Sequence, residues 1–301
     1  MQEIIIKIPK VDKDERIGSV FNHLFYVIFN TENAESNVVW DFSDSTYFHP
    51  FFIAPLSIYK KNCGHKIVCR GVSDSLSTYL KLICFNDMLH VDKNLELDTF
   101  LWKYKDKTYI PICSFGLNNS ENIDTMQNII QGIIERQSHA DKRIKTPLSY
   151  FLSELICNIS QHSLANTGYI FSQYSEKERC INLCIADNGI TIFGSYVRAG
   201  KYIDEIGNDE AMALKMANEG FSTKDLPNTE NRGFGISTTK DMLVNGLKGA
   251  FFMLSGSAFH RYDKNGKPFV RLPDYINWKG TIILMKIPVD IARDFDYSKY
   301  I

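Results

Sequence analysis

Over residues 146–162 the chain carries two stripes on one helical period. Leu148, Phe151, Leu152, Leu155 and Ile159 recur at three- and four-residue spacing and fall on one side, a face to be buried. Glu154, Asn158 and His162 are spaced four apart, so they share an arc of roughly 80° on another side. Thr146 is expected to cap this helix, with Pro147 at its first position, where a missing N–H costs nothing. A helix with one apolar face must lie against a sheet or another helix. This one then presents three polar side chains to whatever stands beside it.

The residues that follow read as the sheet. Strands are expected at about 168–174 and 180–186, the second ending abruptly at Asp187-Asn188-Gly189. Residues 209–219 read as a helix, and residues 220–230 are polar and turn-rich, the composition of a mobile loop. Gly233-Phe234-Gly235 opens a helix to about residue 245. Strands at 249–255, 268–272 and 280–287 complete an antiparallel set, with Asp263-Lys-Asn-Gly266 as a hairpin turn.

Upstream, residues 4–8, 37–42 and 66–70 read as strands, and residues 18–29, 50–62 and 73–84 as helices, an α/β pattern. Residues 115–121 are the expected linker and 122–137 a connecting helix. The expected class is therefore α/β (α+β), with a smaller domain over residues 1–114, a linker and helix over 115–145, and a second domain over 146–301.

Composition narrows the classes of function. The 301 residues include 44% hydrophobic and 13% aromatic side chains, enough for two packed cores. Thirty-four basic and thirty-five acidic residues leave a net charge of −1, so no global field recruits nucleic acid or an anionic membrane. The seven cysteines, at 63, 69, 84, 113, 157, 180 and 184, form no Cys-x-x-Cys pair, and no His is spaced with them for zinc. They read as reduced core residues. The apolar run after Met1 is far shorter than a signal peptide, and no stretch approaches the ~18 apolar residues of a membrane span. A cytoplasmic protein is expected, free of membrane and nucleic acid, with a protein partner that the sequence does not name and a homodimer open.

Three islands carry the chemistry: Glu154-x3-Asn158-x3-His162, Asp187-Asn-Gly189 and Arg232-Gly-Phe-Gly235. Each recurs by chance in other chains, and their order and company carry the information. Around ATP they have roles. Asn158 can give an amide oxygen to Mg²⁺, and Glu154, one turn earlier, can take a proton from an attacking water or hydroxyl. Asp187 can accept the exocyclic amine of adenine, while Gly189 admits a close approach. The N–H groups from Gly233 to Ser237, with Ile236 among them, can hold phosphate oxygens at a helix start. Lys224 can reach a γ-phosphate. His162 is expected only to close the helix or bond locally.

Taken together, these residues resemble the ATP-binding domain of the GHKL superfamily, the group of gyrase, Hsp90, histidine kinases and MutL. The likeness covers about residues 146–288. Glu154-x3-Asn158-x3-His162 looks like its N box, Asp187-x-Gly189 its first glycine box, Arg232-Gly-Phe-Gly235 its second, and Gly220-Phe-Ser-Thr223-Lys224 its lid. Gly280-Thr281 is similar to the closing strand, whose threonine helps hold the adenine aspartate. The resemblance implies a two-layer α/β sandwich of Bergerat type, ATP with Mg²⁺, and ATPase or kinase activity in regulation or signalling. A nucleotide-controlled switch without turnover is the alternative. One departure is Thr191, which stands where the family has a further glycine; its Cβ restricts left-handed conformations, so a different lid hinge is expected.

Within the superfamily, the N box looks like that of anti-sigma-factor kinases. Ser138-His139 and Lys145-Thr146-Pro147-Leu148 mimic a phosphoacceptor box, yet Glu154 follows Pro147 by seven residues, leaving no room for a helical hairpin. A histidine kinase would have to lack its own acceptor helices. In the first domain, residues 38–50 are similar to the core of STAS domains. Laid on that pattern, the usual Asp-Ser phosphoacceptor becomes His49-Pro50, which implies docking or sensing in place of self-phosphorylation.

Overall fold

The computed structural model of the chain describes residues 3–12, 15–35, 37–91, 103–104, 106–117, 120–138, 142–223, 235–273 and 275–300. The chain divides into two compact units, Met1–Leu89 and His90–Ile301. Lys224, Arg232, Gly233, Phe234 and His139 lie outside the described residues.

In the first unit, β1 (Glu3–Lys7), α1 (Ile17–Glu32), β2 (Asn37–Asp41), α2 (Pro50–Asn62), β3 (Ile67–Arg70) and α3 (Asp74–Leu82) alternate. Strands joined through helices pair in parallel, because a crossover returns the chain to the same end of the sheet. The order is β1-β2-β3, with Ile5 opposite Val39 and Val39 opposite Val68. Trp40 is fully buried and its indole N–H donates to Thr31 Oγ1 on α1 at 3.0 Å, so the one polar atom of the largest core residue is satisfied. His49 caps α2, its Nδ1 accepting from the Phe51 N–H at 3.0 Å, with Pro50 at the first helical position.

The second unit holds an eight-stranded sheet with helices. Its elements are β4 (Leu89–Val91), β5 (Tyr109–Gly116), α4 (Ser120–Ser138), α5 (Lys145–His162), β6 (Thr167–Ser175), β7 (Cys180–Asp187), α6 (Ile192–Ala199), α7 (Ile203–Ile206), α8 (Glu210–Asn218), α9 (Gly235–Asp241), β8 (Ala250–Gly256), β9 (Ala258–Tyr262), β10 (Phe269–Arg271) and β11 (Trp278–Pro288). The sheet order is β10-β9-β8-β11-β7-β6-β5-β4, antiparallel from β10 to β5. The long C-terminal strand β11 thus inserts between β8 and β7. Asp187, Thr281 and Ser255 come into register on one face, followed by Ile185, Ile283 and Met253.

Three expectations differ from this structure. The expected boundary at residue 114 falls inside β5, a strand of the larger sheet. The expected connecting helix is α4, whose Met126, Ile129, Ile130, Ile133 and Ile134 are buried against β5, β6 and α5; its apolar stripe makes it a core element. Thr146 does not cap α5. A single 3₁₀ turn, Lys142–Ile144, runs straight into the helix, so Ile144 takes the cap position and Pro147 sits third, still within the turn that has no intrahelical N–H partners. Helices α6 and α7 and strands β4, β5 and β9 were not expected. Among the described residues no helix is long and apolar enough to cross a membrane.

Candidate functional site

Helix α5 buries Leu148, Phe151, Leu152, Leu155 and Ile159, which leaves its Glu154-Asn158-His162 strip half-buried along the side of a cleft. The cleft encloses about 970 Å³ of empty space, part of it open to solvent. Its floor is the face of β7, β11 and β8 that carries Asp187, Thr281, Ile283 and Met253, and its far side is α6 with Phe221, Ser222 and Thr223. Of the residues expected from the sequence, Glu154, Asn158, Asp187, Thr223, Gly235, Ile236 and Thr281 all line it, and so does His162. Gly189 and Ser237 are not among the residues that line it.

The two carboxylates meet opposite environments. Glu154 makes no hydrogen bond or ion pair to a described residue, and neither does the Asn158 amide. Both line the cleft. Asp187 is 1% exposed and clamped: Oδ1 accepts from the Gly189 N–H at 2.8 Å and Oδ2 from the Thr281 N–H at 3.2 Å. Burial nonetheless raises its pKa to about 7, outweighing the two backbone donors that favour the ionised form. A carboxylate has about four lone-pair positions, so acceptor capacity is left facing the cleft.

Close approach explains the glycines. Gly280 has φ +83°, and a Cβ there would stand 2.5 Å from the Asp187 carbonyl and 2.6 Å from its Oδ1. Gly189 packs on the Ser163 backbone and Gly235 on the Glu154 carboxylate, each too tightly for a side chain. Thr281 holds Asp187 through its backbone, and its hydroxyl instead meets Ser255 Oγ at 3.1 Å.

Thr191 is resolved by geometry. Its φ of −69° and ψ of 167° are extended, so no left-handed residue is needed there. The side chain caps α6, accepting from the Gly194 N–H at 3.0 Å. A second support is Ser255, 2% exposed, whose Oγ accepts from the Ile192 N–H at 2.9 Å and donates to the Gly280 carbonyl at 3.0 Å. One hydroxyl therefore ties the start of α6 to the strand that holds Asp187.

Sequence reading missed Ser195, Tyr196 and Ser255, took Ser222 only as part of the lid segment, and undervalued His162. His162 Nδ1 lies 2.9 Å from Thr223 Oγ1, which in turn lies 3.3 Å from Ser195 Oγ. The Tyr196 hydroxyl donates to the Phe221 carbonyl. Nothing local marked these pairs, since they join residues 25 to 63 positions apart.

Beyond Glu154 the strip continues to Tyr150, whose phenol pKa is raised, first by burial and then by the Glu154 charge. Its ring meets Tyr297 edge-on, centroids 6.4 Å apart. The segment carrying Tyr297 is anchored by Arg143, which donates to the carbonyls of Ile291 and Ala292 at 3.0 Å each. Phe295 and Tyr300 pack over Gly246, just past α9.

Such a cleft can accept a proton at Glu154, offer an amide oxygen at Asn158 and bind an N–H donor at Asp187, with hydroxyls between. Among the described residues no group of His, Cys, Asp and Glu could hold a metal by itself, so a cation here needs oxygens from elsewhere, such as the Asn158 amide and a ligand. Comparison with protein-family models, with curated proteins and with solved structures finds no match for the chain.

Proposed function

We propose that the second unit is a Mg²⁺-dependent ATP site of GHKL type, in a Bergerat-like sandwich, and that the protein is a cytoplasmic ATPase or kinase in regulation. The observation that carries this reading is the pairing of the Glu154-Asn158 strip on α5, unpartnered among the described residues, with a clamped, buried Asp187 across one cleft.

Bound Mg-ATP would supply a transferable γ-phosphoryl group. Asp187 would accept from the exocyclic amine of adenine, a contact that rejects bases presenting only an acceptor there. Ile190, Ile283 and Met253 give the base apolar surroundings. Asn158 would give its amide oxygen to the metal. Glu154, which has no ion-pair partner among the described residues, would hold the proton of the attacking water or hydroxyl. The N–H groups of Gly235 and Ile236 suit phosphate oxygens, together with Thr223 and with Ser237, Lys224 and residues 232–234. The small unit, its His49 engaged as a helix cap, would serve as a STAS-like docking or sensing module.

Incubation with γ-labelled ATP and Mg²⁺ tests the reading. Label should leave ATP, as free phosphate or on protein, and Glu154→Ala should slow that loss by roughly 10²–10⁴-fold while ATP still binds. Equal turnover in the variant removes Glu154 from the role, and absence of any ATP binding removes the whole assignment. Tight binding with no label released would make the site a switch.

A further inference from the structure

Among the described residues, the cleft is lined by two carboxylates, Glu154 and Asp187, and by no lysine or arginine. Among those described lining residues, the donors that suit an anionic ligand are neutral. Besides the Gly235 and Ile236 N–H groups, the described lining gathers them where Ser195 on α6 and Ser222 and Thr223 after α8 stand together across from His162 on α5. None of Ser195, Ser222 and His162 belongs to the nucleotide-holding set above.

The hydrogen-bond count within this cluster decides what it can do. The His162 ring is within 2.9 Å of Thr223 Oγ1, and that oxygen is 3.3 Å from Ser195 Oγ. If Thr223 donated to His162, its own proton would be spent, and Ser195 would spend a second one donating to Thr223. If instead His162 Nδ1–H donates to Thr223, one hydroxyl proton at least stays available to a ligand, and both are free once a ligand replaces the Ser195–Thr223 contact. His162 is also the element that crosses the cleft, because it sits on α5 while both hydroxyls belong to the opposite side.

We propose that His162 is a positioning residue that donates through Nδ1 to Thr223 and so presents the Thr223 and Ser195 hydroxyls to a phosphate oxyanion of the bound nucleotide. The proposal rests on the nucleotide reading. It adds a phosphate contact from α6, a helix outside the islands on which that reading stands, and a reason for the His that ends the Glu-x3-Asn-x3-His strip.

The test compares ATP with adenosine, which shares the base and lacks phosphates. His162→Ala should weaken ATP binding about tenfold, the worth of one lost well-aligned donor, and leave adenosine binding unchanged. His162→Gln, which keeps an N–H donor, should recover part of the loss, and Thr223→Val should add nothing further in the His162→Ala background. Ser195→Ala should reproduce the ATP-selective loss. Equal weakening of ATP and adenosine in His162→Ala and His162→Gln, or no weakening of either, overturns the proposal while the ATP site stands. If the unaltered protein binds neither ligand, the nucleotide reading falls and this inference with it.

Discussion

The Glu154 carboxylate lies against the Cα of Gly235 so closely that a methyl group on Gly235 would overlap Oε2. The contact joins the strip on α5 to the first residue of α9, two segments 81 positions apart in the chain (235 − 154). Because the atom in the way is the far end of a flexible side chain, the fold can yield there and the carboxylate cannot stay.

Gly235→Ala should therefore keep its stability to within about 1 kcal/mol and lose ATP turnover at least tenfold, as roughly an ångström of misplacement is enough to do. Thermal melts beside single-turnover rates check this; a variant that melts early with normal turnover per folded molecule contradicts it.

Gly189→Ala is the opposite case. A Cβ there would meet the Ser163 carbonyl and the Ala165 N–H, backbone that cannot rotate aside. Destabilisation of about 1–3 kcal/mol is expected. Denaturant unfolding measures it, and an unchanged midpoint would show that the 163–165 turn gives way.

The Asp187 carboxyl couples the site to pH. Burial raises its pKa from 3.8 to about 7 in the folded chain, so its contribution to stability is complete below about pH 4 and is lost as pH rises to 7. The loss is at most about 4 kcal/mol by linkage. Ligand binding runs the other way, because the ionised carboxylate is the better acceptor for an amine. ATP affinity should fall as pH drops below about 7, and Asp187→Asn should flatten that profile between pH 5.5 and 8.5. Titration calorimetry across the range reads both.

Ser255→Ala removes the acceptor of the Ile192 N–H and the donor to Gly280 at one stroke. Leaving such buried groups unpaired costs about 1–3 kcal/mol. Hydrogen exchange should quicken at Ile192 in particular; protection equal to the unaltered protein would mean that the Thr191 cap suffices alone.

How far the sequence reveals this molecule depends on how local the cause is. Helix α5 is legible because its stripe and Pro147 both lie within its own span, and β7 because an apolar run stops at Asp187. The position of α4 is not, since amphipathicity tells that a face is buried and not against which sheet. Helix α6 is hidden by its composition: Ile192, Phe193, Tyr196 and Val197 favour strands and Gly194 weakens a helix. It forms because Thr191 and Ser255 take its first N–H groups, and Tyr196 packs with Ile206, Ala213 and Met216 while its hydroxyl donates to the Phe221 carbonyl. The same reason conceals His162, whose partner in the fold is 61 residues away.

The Tyr150–Tyr297 contact places the 3₁₀ turn Tyr297–Lys299 beside the Glu154 carboxylate. A protein shortened just after β11 would keep every residue of the strip and still present a rebuilt Glu154 environment. Such a truncation would alter the Glu154 carboxylate without touching its helix, and bulk attached beside Tyr297 would sit close enough to do the same.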